Sequence, residues 1–217
     1  MPDPKALISF EDRIAKYGLT AKDVDAEILR VGKKQVVRLG CLSKRPSFYR
    51  PRLLRAGGVD DVKNWIGTPD SVFKHKPKMA DRFKFEKPPA EDTLKAFTKL
   101  HQKHVKEKDA AKKKAYSSEI FELIRKDRKE LNRIAKAYVY GNSKSVEAWR
   151  VWLDWLLRDS EFPVWLFQKV VVESGAVLEL DSGPNILTGD ILVIEPGGTI
   201  RTSGVLTLNF SELRRSL

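Results

Sequence analysis

The sequence predicts an α+β protein in which a basic, mostly helical N-terminal region packs on a short C-terminal β-roll or β-solenoid-like module. Three observations support this class. A short pattern recurs at an offset of 22 residues near the C-terminus, a long helical pattern precedes it, and the net charge changes sign between the two. We expect three parts: a basic helical and irregular region at 1–89, a helical hairpin with a Trp-rich docking helix at 90–160, and the β-roll module at 161–217.

The recurring pattern joins a strand to a glycine turn. Residues 171–178 read VVESGAVL and residues 193–200 read VIEPGGTI, so Val171 aligns with Val193 at an offset of 22 residues. Glycine supplies the positive φ of a tight turn at little steric cost. Because the match covers both strand and turn, it favours coils of a parallel β-solenoid. An antiparallel meander with the same turns remains the alternative.

Two coils are too few to bury a core by themselves, because each coil of a stack is covered only by its neighbours. Open strand edges also favour association. The sequence therefore predicts that the module is covered by the chain's own helices, by a copy of itself or by a partner. The apolar residues expected at this interface are Val193, Ile194, Ile200, Leu206 and Leu208.

Helical patterns dominate residues 10–31 and 90–158. Capping residues and apolar spacing predict short helices at about 10–17 and 21–31, then a helix from 90, a second over 117–140 and a third after Ser145. Residues 35–39 are predicted to form a strand, and 59–67 a short helix with Trp65 as a buried anchor. The proline-rich stretch 68–89 is expected to be an irregular connector.

The third of these helices is apolar on nearly every side. Such a helix is usually buried on most sides, so we expect it to cover one end of the β module. The alternative is a surface for a partner. The tryptophans on which either interpretation depends are Trp149, Trp152, Trp155 and Trp165.

The charge of the chain is uneven. Residues 160–217 carry a net charge of −3, so residues 1–159 carry +15 of the total +12. No acid occurs between Ile28 and Val59. Arginine and lysine contact phosphate, and aromatic rings stack on unpaired bases. The candidate anion- or nucleic-acid-binding residues are Arg38, Lys44, Arg45, Phe48, Tyr49, Arg50, Arg52 and Arg55. The same segment could instead face an acidic protein or the acidic β module of this chain.

Residues with catalytic potential are few. His101 and His104 lie three residues apart on one predicted helix face, without the glutamate and spacing of a zinc-protease helix. A structural role at the edge of the apolar face is favoured, and a histidine-dependent nuclease is the remaining enzymatic alternative. Cys41 lies in a basic segment but has no histidine near it in sequence. The sequence predicts no cofactor and no metal site.

A single cysteine and the absence of a signal-peptide pattern predict a reducing, cytoplasmic environment. No apolar run reaches the length of a membrane span. The functional hypothesis is a non-catalytic interaction or assembly protein. Its β module would pair with a copy or a partner, and its basic region would dock an anionic surface. Nucleic-acid binding through residues 30–55 is the second hypothesis.

Overall fold

The computed structural model describes residues 9–40, 49–73, 91–124 and 128–215. The chain contains both helices and strands, so the α+β class is confirmed. It forms two compact units, one of residues 1–55 with 160–217 and the other of residues 56–159. This division differs from the three consecutive parts expected from sequence, because strands near the N-terminus pair with strands of the C-terminal segment.

The first unit, called the β unit below, contains eight strands in two sheets. The strands are β1 (Ala26–Val31), β2 (Val36–Leu39), β3 (Arg52–Arg55), β4 (Glu161–Val172), β5 (Val177–Leu180), β6 (Pro184–Ile194), β7 (Thr199–Thr202) and β8 (Val205–Arg215). One sheet has the order β1-β4-β6-β8, with β3 also pairing with β4, and the other has the order β2-β5-β7. Every pair is parallel except β3 with β4, and neither sheet closes on itself.

The strand register places apolar residues of successive strands side by side. Leu29 pairs with Val170, Val170 with Leu192, and Leu192 with Leu213. In the second sheet, Leu178 pairs with Ile200. The core of the β unit lies between the two sheets and is built from such columns. Its fully buried members include Leu29, Leu39, Trp165, Phe167, Val170 and Leu178.

The helix expected over 21–31 is wrong. The structure has a 3-10 turn at Ala21–Asp23 and then strand β1. Leu29 and Val31 are buried on alternate positions of this strand, and they pair with Val170 and Val172. Tertiary pairing of a β-branched, alternating segment has overridden a weak helical spacing. The proposed helix-turn-helix therefore does not form.

Three turns that join the sheets have the same backbone geometry. The amide of Gln35 donates to the carbonyl of Gly32, that of Ala176 to Glu173, and that of Gly198 to Glu195. The residue before each donor has positive φ: 59° at Lys34, 69° at Gly175 and 77° at Gly197. The β1–β2 segment therefore makes the same turn as the two segments that were recognised from sequence.

Helix α1 (Phe10–Ala15) covers the outer face of the first sheet. Its predicted cap is confirmed, because the Ser9 hydroxyl accepts a hydrogen bond from the Asp12 amide at 3.1 Å. Phe10 and Ile14 pack with Leu166 of β4. The Arg13 guanidinium, which is buried, binds the carboxylate of Asp190 in β6.

The second unit, called the helical unit, contains five α-helices in its described part. They are α2 (Val59–Ile66), α3 (Glu91–Lys106), α4 (Ala110–Ile124), α5 (Arg128–Tyr140) and α6 (Arg150–Leu157), with 3-10 helices at Asp70–Phe73 and Ser143–Trp149. The predicted helix over 117–140 is wrong as a single element, since α4 begins at Ala110 and α5 is a separate helix. Asp109 starts α4 by accepting the Lys112 amide at 2.9 Å.

An aromatic cluster forms part of the core of the helical unit. Phe97 of α3 is fully buried and stacks on Trp152 of α6, with ring centroids 4.0 Å apart. Trp155 meets the same ring edge-on at 6.2 Å. Trp65, expected to be a buried anchor, is only half-buried. Most of the 68–89 stretch lies outside the described residues, which resume at 91.

Candidate functional site

The strongest functional feature of the β unit is the exposed end of its core at β8. Along the column Leu29, Val170, Leu192 and Leu213, the exposed fraction of the side chain is 1%, 0%, 1% and then 64%. A second column shows the same change, since Trp165 and Leu187 are fully buried whereas Leu208 is 46% exposed. The core positions are therefore continuous through β8, but the last layer has nothing stacked on it within the described chain.

The opposite end of the β unit is covered. Leu29 and Val31 of β1 and Leu39 of β2 are buried. Tyr49 contributes to this region, because its ring meets Phe167 edge-on at 5.1 Å. The two ends are thus unequal, and only the β8 end presents core side chains to solvent.

Strand β8 also presents backbone hydrogen-bonding groups. It pairs with β6 on one side and is last in the strand order, with no further strand beside it in the described residues. An outer strand of 11 residues is long for an unprotected edge. Arg214 and Glu212 form an ion pair on this strand at 2.6 Å, so charge is present but is largely neutralised locally.

The predicted assembly residues occupy different depths in this arrangement. Leu208 is exposed at the open end, and Ile200 and Leu206 are partly buried against the core beside it. Val193 and Ile194 are half-buried in β6, one layer further in. Leu213, the most exposed member of the core columns, was not among the predicted residues. The signal for it was the repeated column spacing, which continues from Leu192 to Leu213.

The tryptophans considered as a partner surface lie mainly inside the two units. Trp165 is fully buried in the β unit, and its indole N–H donates to Oδ1 of Asn185 at 3.2 Å. Trp149 and Trp152 are 5% and 2% exposed in the helical unit, and Trp155 is half-buried. Their side chains contribute mainly to packing.

The arginines of the basic segment form ion pairs within the β unit. The distances are 2.8 Å for Arg30–Glu173, 2.5 Å for Arg38–Glu179, 3.7 Å for Arg52–Asp23 and 2.9 Å for Arg55–Glu161. The interpretation that this segment faces the chain's own acidic strands is therefore supported at these four positions. Arg50 is exposed, whereas Lys44, Arg45, Phe48 and Cys41 lie outside the described residues.

Two glutamates of the recurring pattern connect adjacent turns. The Glu173 carboxylate accepts the amide of Lys33 at 3.1 Å, and the Glu195 carboxylate accepts the amide of Ser174 at 3.0 Å. The contact to Arg30 lowers the pKa of Glu173, and the Lys33 amide lowers it further. These carboxylates join successive layers and thereby take a structural role.

The histidine pair lies beside the aromatic cluster of the helical unit. The ring of His101 stacks near Phe97 with a centroid distance of 6.1 Å, and its Nε2 accepts from Arg158 at 3.3 Å. Burial lowers the pKa of both histidines, and nearby cations, Arg158 for His101 and Lys113 for His104, lower it further. The neutral imidazole is thus favoured. No group of three or more potential metal-binding side chains occurs among the described residues.

Comparison of the chain with protein-family models, curated proteins and solved structures found no match. Of the helices in the described part, none is both long enough and apolar enough to cross a bilayer.

Proposed function

We propose that the protein is a non-catalytic assembly protein whose β unit is a short β-solenoid that pairs through β8 with a second copy of the chain. The observation that carries this proposal is the core column that is buried at Leu29, Val170 and Leu192 but 64% exposed at Leu213. The parallel register and the shared turn geometry support the solenoid interpretation. Apolar core positions that reach an exposed edge strand favour a layer stacked on that edge.

The inequality of the two ends favours a closed dimer over a filament. A head-to-tail filament would need the β1 end to receive the β8 end, but the core residues of β1 are already covered. An interface that uses the same surface on both chains is two-fold symmetric and closes after one pairing. Two-fold pairing of β8 with its own copy makes the new strand pair antiparallel, and it brings Leu208 and Leu213 of both copies to the interface.

The basic segment 30–55 has a supporting role in this proposal. Arg30 and Arg38 each bind a glutamate on the neighbouring strand or turn, which joins the N-terminal layer to the following one. The proposal places assembly at the opposite, open end. Docking of an anionic surface by the unpaired members of the segment, such as Arg50, remains part of the hypothesis.

The test uses Leu213→Glu with Leu53→Glu as the matched control. Both leucines are exposed on strands of the β unit, at 64% and 54%, but Leu53 lies on β3, away from the β8 end of the strand order. We expect size-exclusion chromatography with light scattering to give a dimer for the wild type and for Leu53→Glu, and a folded monomer for Leu213→Glu.

A wild type that stays monomeric at high concentration would contradict the proposal. A dimer that survives Leu213→Glu unchanged would place the interface elsewhere and would contradict it equally. Circular dichroism of each variant checks that the strands remain folded.

A further inference from the structure

The hairpin of α3 and α4 carries the densest positive charge of the described chain. Between residues 93 and 118 there are eight lysines and two acids. The lysines are Lys95, Lys99, Lys103, Lys106, Lys108, Lys112, Lys113 and Lys114. All of them are exposed. We call this surface the lysine hairpin.

The lysines of α3 form a stripe. Lys95, Lys99, Lys103 and Lys106 are spaced by four, four and three residues, which places them on one face of a helix. The stripe extends about 17 Å along the axis at 1.5 Å per residue. The Lys103 ammonium lies over the ring of Tyr116 in α4, 5.9 Å from its centroid, so it also connects the stripe to the second helix.

This arrangement of charge is unfavourable for the helices that carry it. Like charges four residues apart on a helix repel each other. Three lysines also fall within the first five residues of α4, whose first turn contains no acid, and cations at a helix N-terminus oppose the helix dipole. Helix stability therefore gives no reason for this pattern.

Local acids do not neutralise the hairpin. Within the described residues, no ion pair involves Lys99, Lys106, Lys108, Lys112, Lys113 or Lys114. The two acids of the loop are occupied by backbone groups, because Glu107 accepts the amides of Lys108 and Asp109, and Asp109 accepts that of Lys112. In contrast, four arginines of segment 30–55 are paired with acids.

We propose that the lysine hairpin binds the phosphate backbone of double-stranded nucleic acid without reading its sequence. A linear stripe of point charges matches a linear polyanion, and lysine lacks the planar fork with which arginine reads guanine. An anionic membrane is less favoured, because the stripe positions are all lysines and provide no apolar side chains for insertion. The inference is independent of the assembly proposal, since it concerns the other unit.

The experiment compares two variants that each lose two positive charges. Lys99→Gln with Lys106→Gln alters the stripe, and glutamine has a helix propensity close to that of lysine. Arg30→Gln with Arg38→Gln alters paired arginines whose side chains are 59% and 50% exposed. Binding of a labelled DNA duplex is measured by fluorescence anisotropy at several salt concentrations for the full chain and both variants.

We expect wild-type affinity to fall steeply with salt, since each neutralised phosphate contributes about 0.9 to the slope of log K against log salt. The stripe variant should lose about two contacts from that slope, and the arginine variant should keep the wild-type slope. Equal losses in both variants would indicate a general charge effect and overturn the proposal. Absence of duplex binding at low salt, or binding to phosphatidylserine vesicles in preference to duplex, would also overturn it.

Discussion

The hydrogen bond between Trp165 and Asn185 offers a quantitative test of the core of the β unit. Asn185 is 1% exposed and lies where β6 begins. Its Oδ1 accepts from the indole N–H of Trp165 at 3.2 Å, and its Nδ2 donates to the carbonyls of Asp181 at 2.9 Å and Gly183 at 3.3 Å. The amide therefore satisfies a buried donor on β4 and holds the turn before β6.

Replacing Asn185 by alanine leaves the indole N–H without its partner. An unsatisfied buried donor costs about 1–3 kcal/mol. The two carbonyls retain other donors, Thr202 Oγ1 at 3.3 Å for Asp181 and the Val205 amide at 3.0 Å for Gly183. Loss of the two amide contacts adds about 1 kcal/mol, so we expect Asn185→Ala to lower the free energy of unfolding by about 2–4 kcal/mol.

A double-mutant cycle isolates the bond itself. In Trp165→Phe the donor is absent, so adding Asn185→Ala no longer leaves an indole N–H unsatisfied. We expect a coupling energy of about 1–2 kcal/mol from urea unfolding followed by circular dichroism. Effects that add to within about 0.5 kcal/mol would refute the reasoning, because additivity at that level is typical of sites that do not interact.

Two further predictions concern the turn backbone and a buried carboxylate. Lys34 has φ of 59° at the position where the other turns have Gly175 and Gly197, so Lys34→Gly should raise the thermal midpoint, whereas Gly197→Ala should lower the free energy of unfolding by about 1 kcal/mol. Burial raises the pKa of Asp25, whose Oδ2 has no hydrogen-bond partner among the described residues. The folded chain thus binds this proton more tightly than the unfolded chain. The destabilisation is present above the folded pKa and disappears as the pH falls below the unfolded value, so Asp25→Asn should stabilise the protein in urea unfolding at about pH 7 and have little effect at about pH 3. An equal effect at both pH values would contradict that assignment.

The parts of the fold that could be predicted from sequence are those with strong local signals. The turns at Gly175 and Gly197 stand out because glycine marks positive φ. Helix α1 was recognisable from the Ser9 cap. The two longest helical patterns identified the helical unit, although the division between α4 and α5 was missed.

The contribution of β1 and β2 to the β unit could not be recognised in the same way. Lysine rather than glycine occupies the turn position at Lys34, and the acid of the pattern is replaced by Gly32. What remained was the spacing of five residues from Val31 to Val36, which equals that from Val172 to Val177. That spacing is too short a signal to outweigh a helical pattern when the pairing partner lies more than 130 residues away in sequence.

The charge of the candidate sites was only partly interpretable from sequence. The acid-free segment 30–55 was conspicuous, but its partners, such as Glu173 and Glu179, are distant in sequence and become neighbours only through the parallel pairing. The lysine hairpin has acids at Glu107 and Asp109 that made it less conspicuous. Their use as caps, which leaves the lysines unneutralised, is visible only in the structure.

Hydrogen–deuterium exchange of the intact protein at low and high concentration tests pairing through β8 most directly. Burial of Leu213 in both chains is worth about 3–6 kcal/mol in total, so assembly should be concentration-dependent over an accessible range. We predict that the amides of residues 205–215 gain protection at high concentration while those of β1 and β2 exchange equally at both. Identical exchange of β8 at the two concentrations, in a protein that light scattering shows to be dimeric at the higher one, would contradict pairing through this strand.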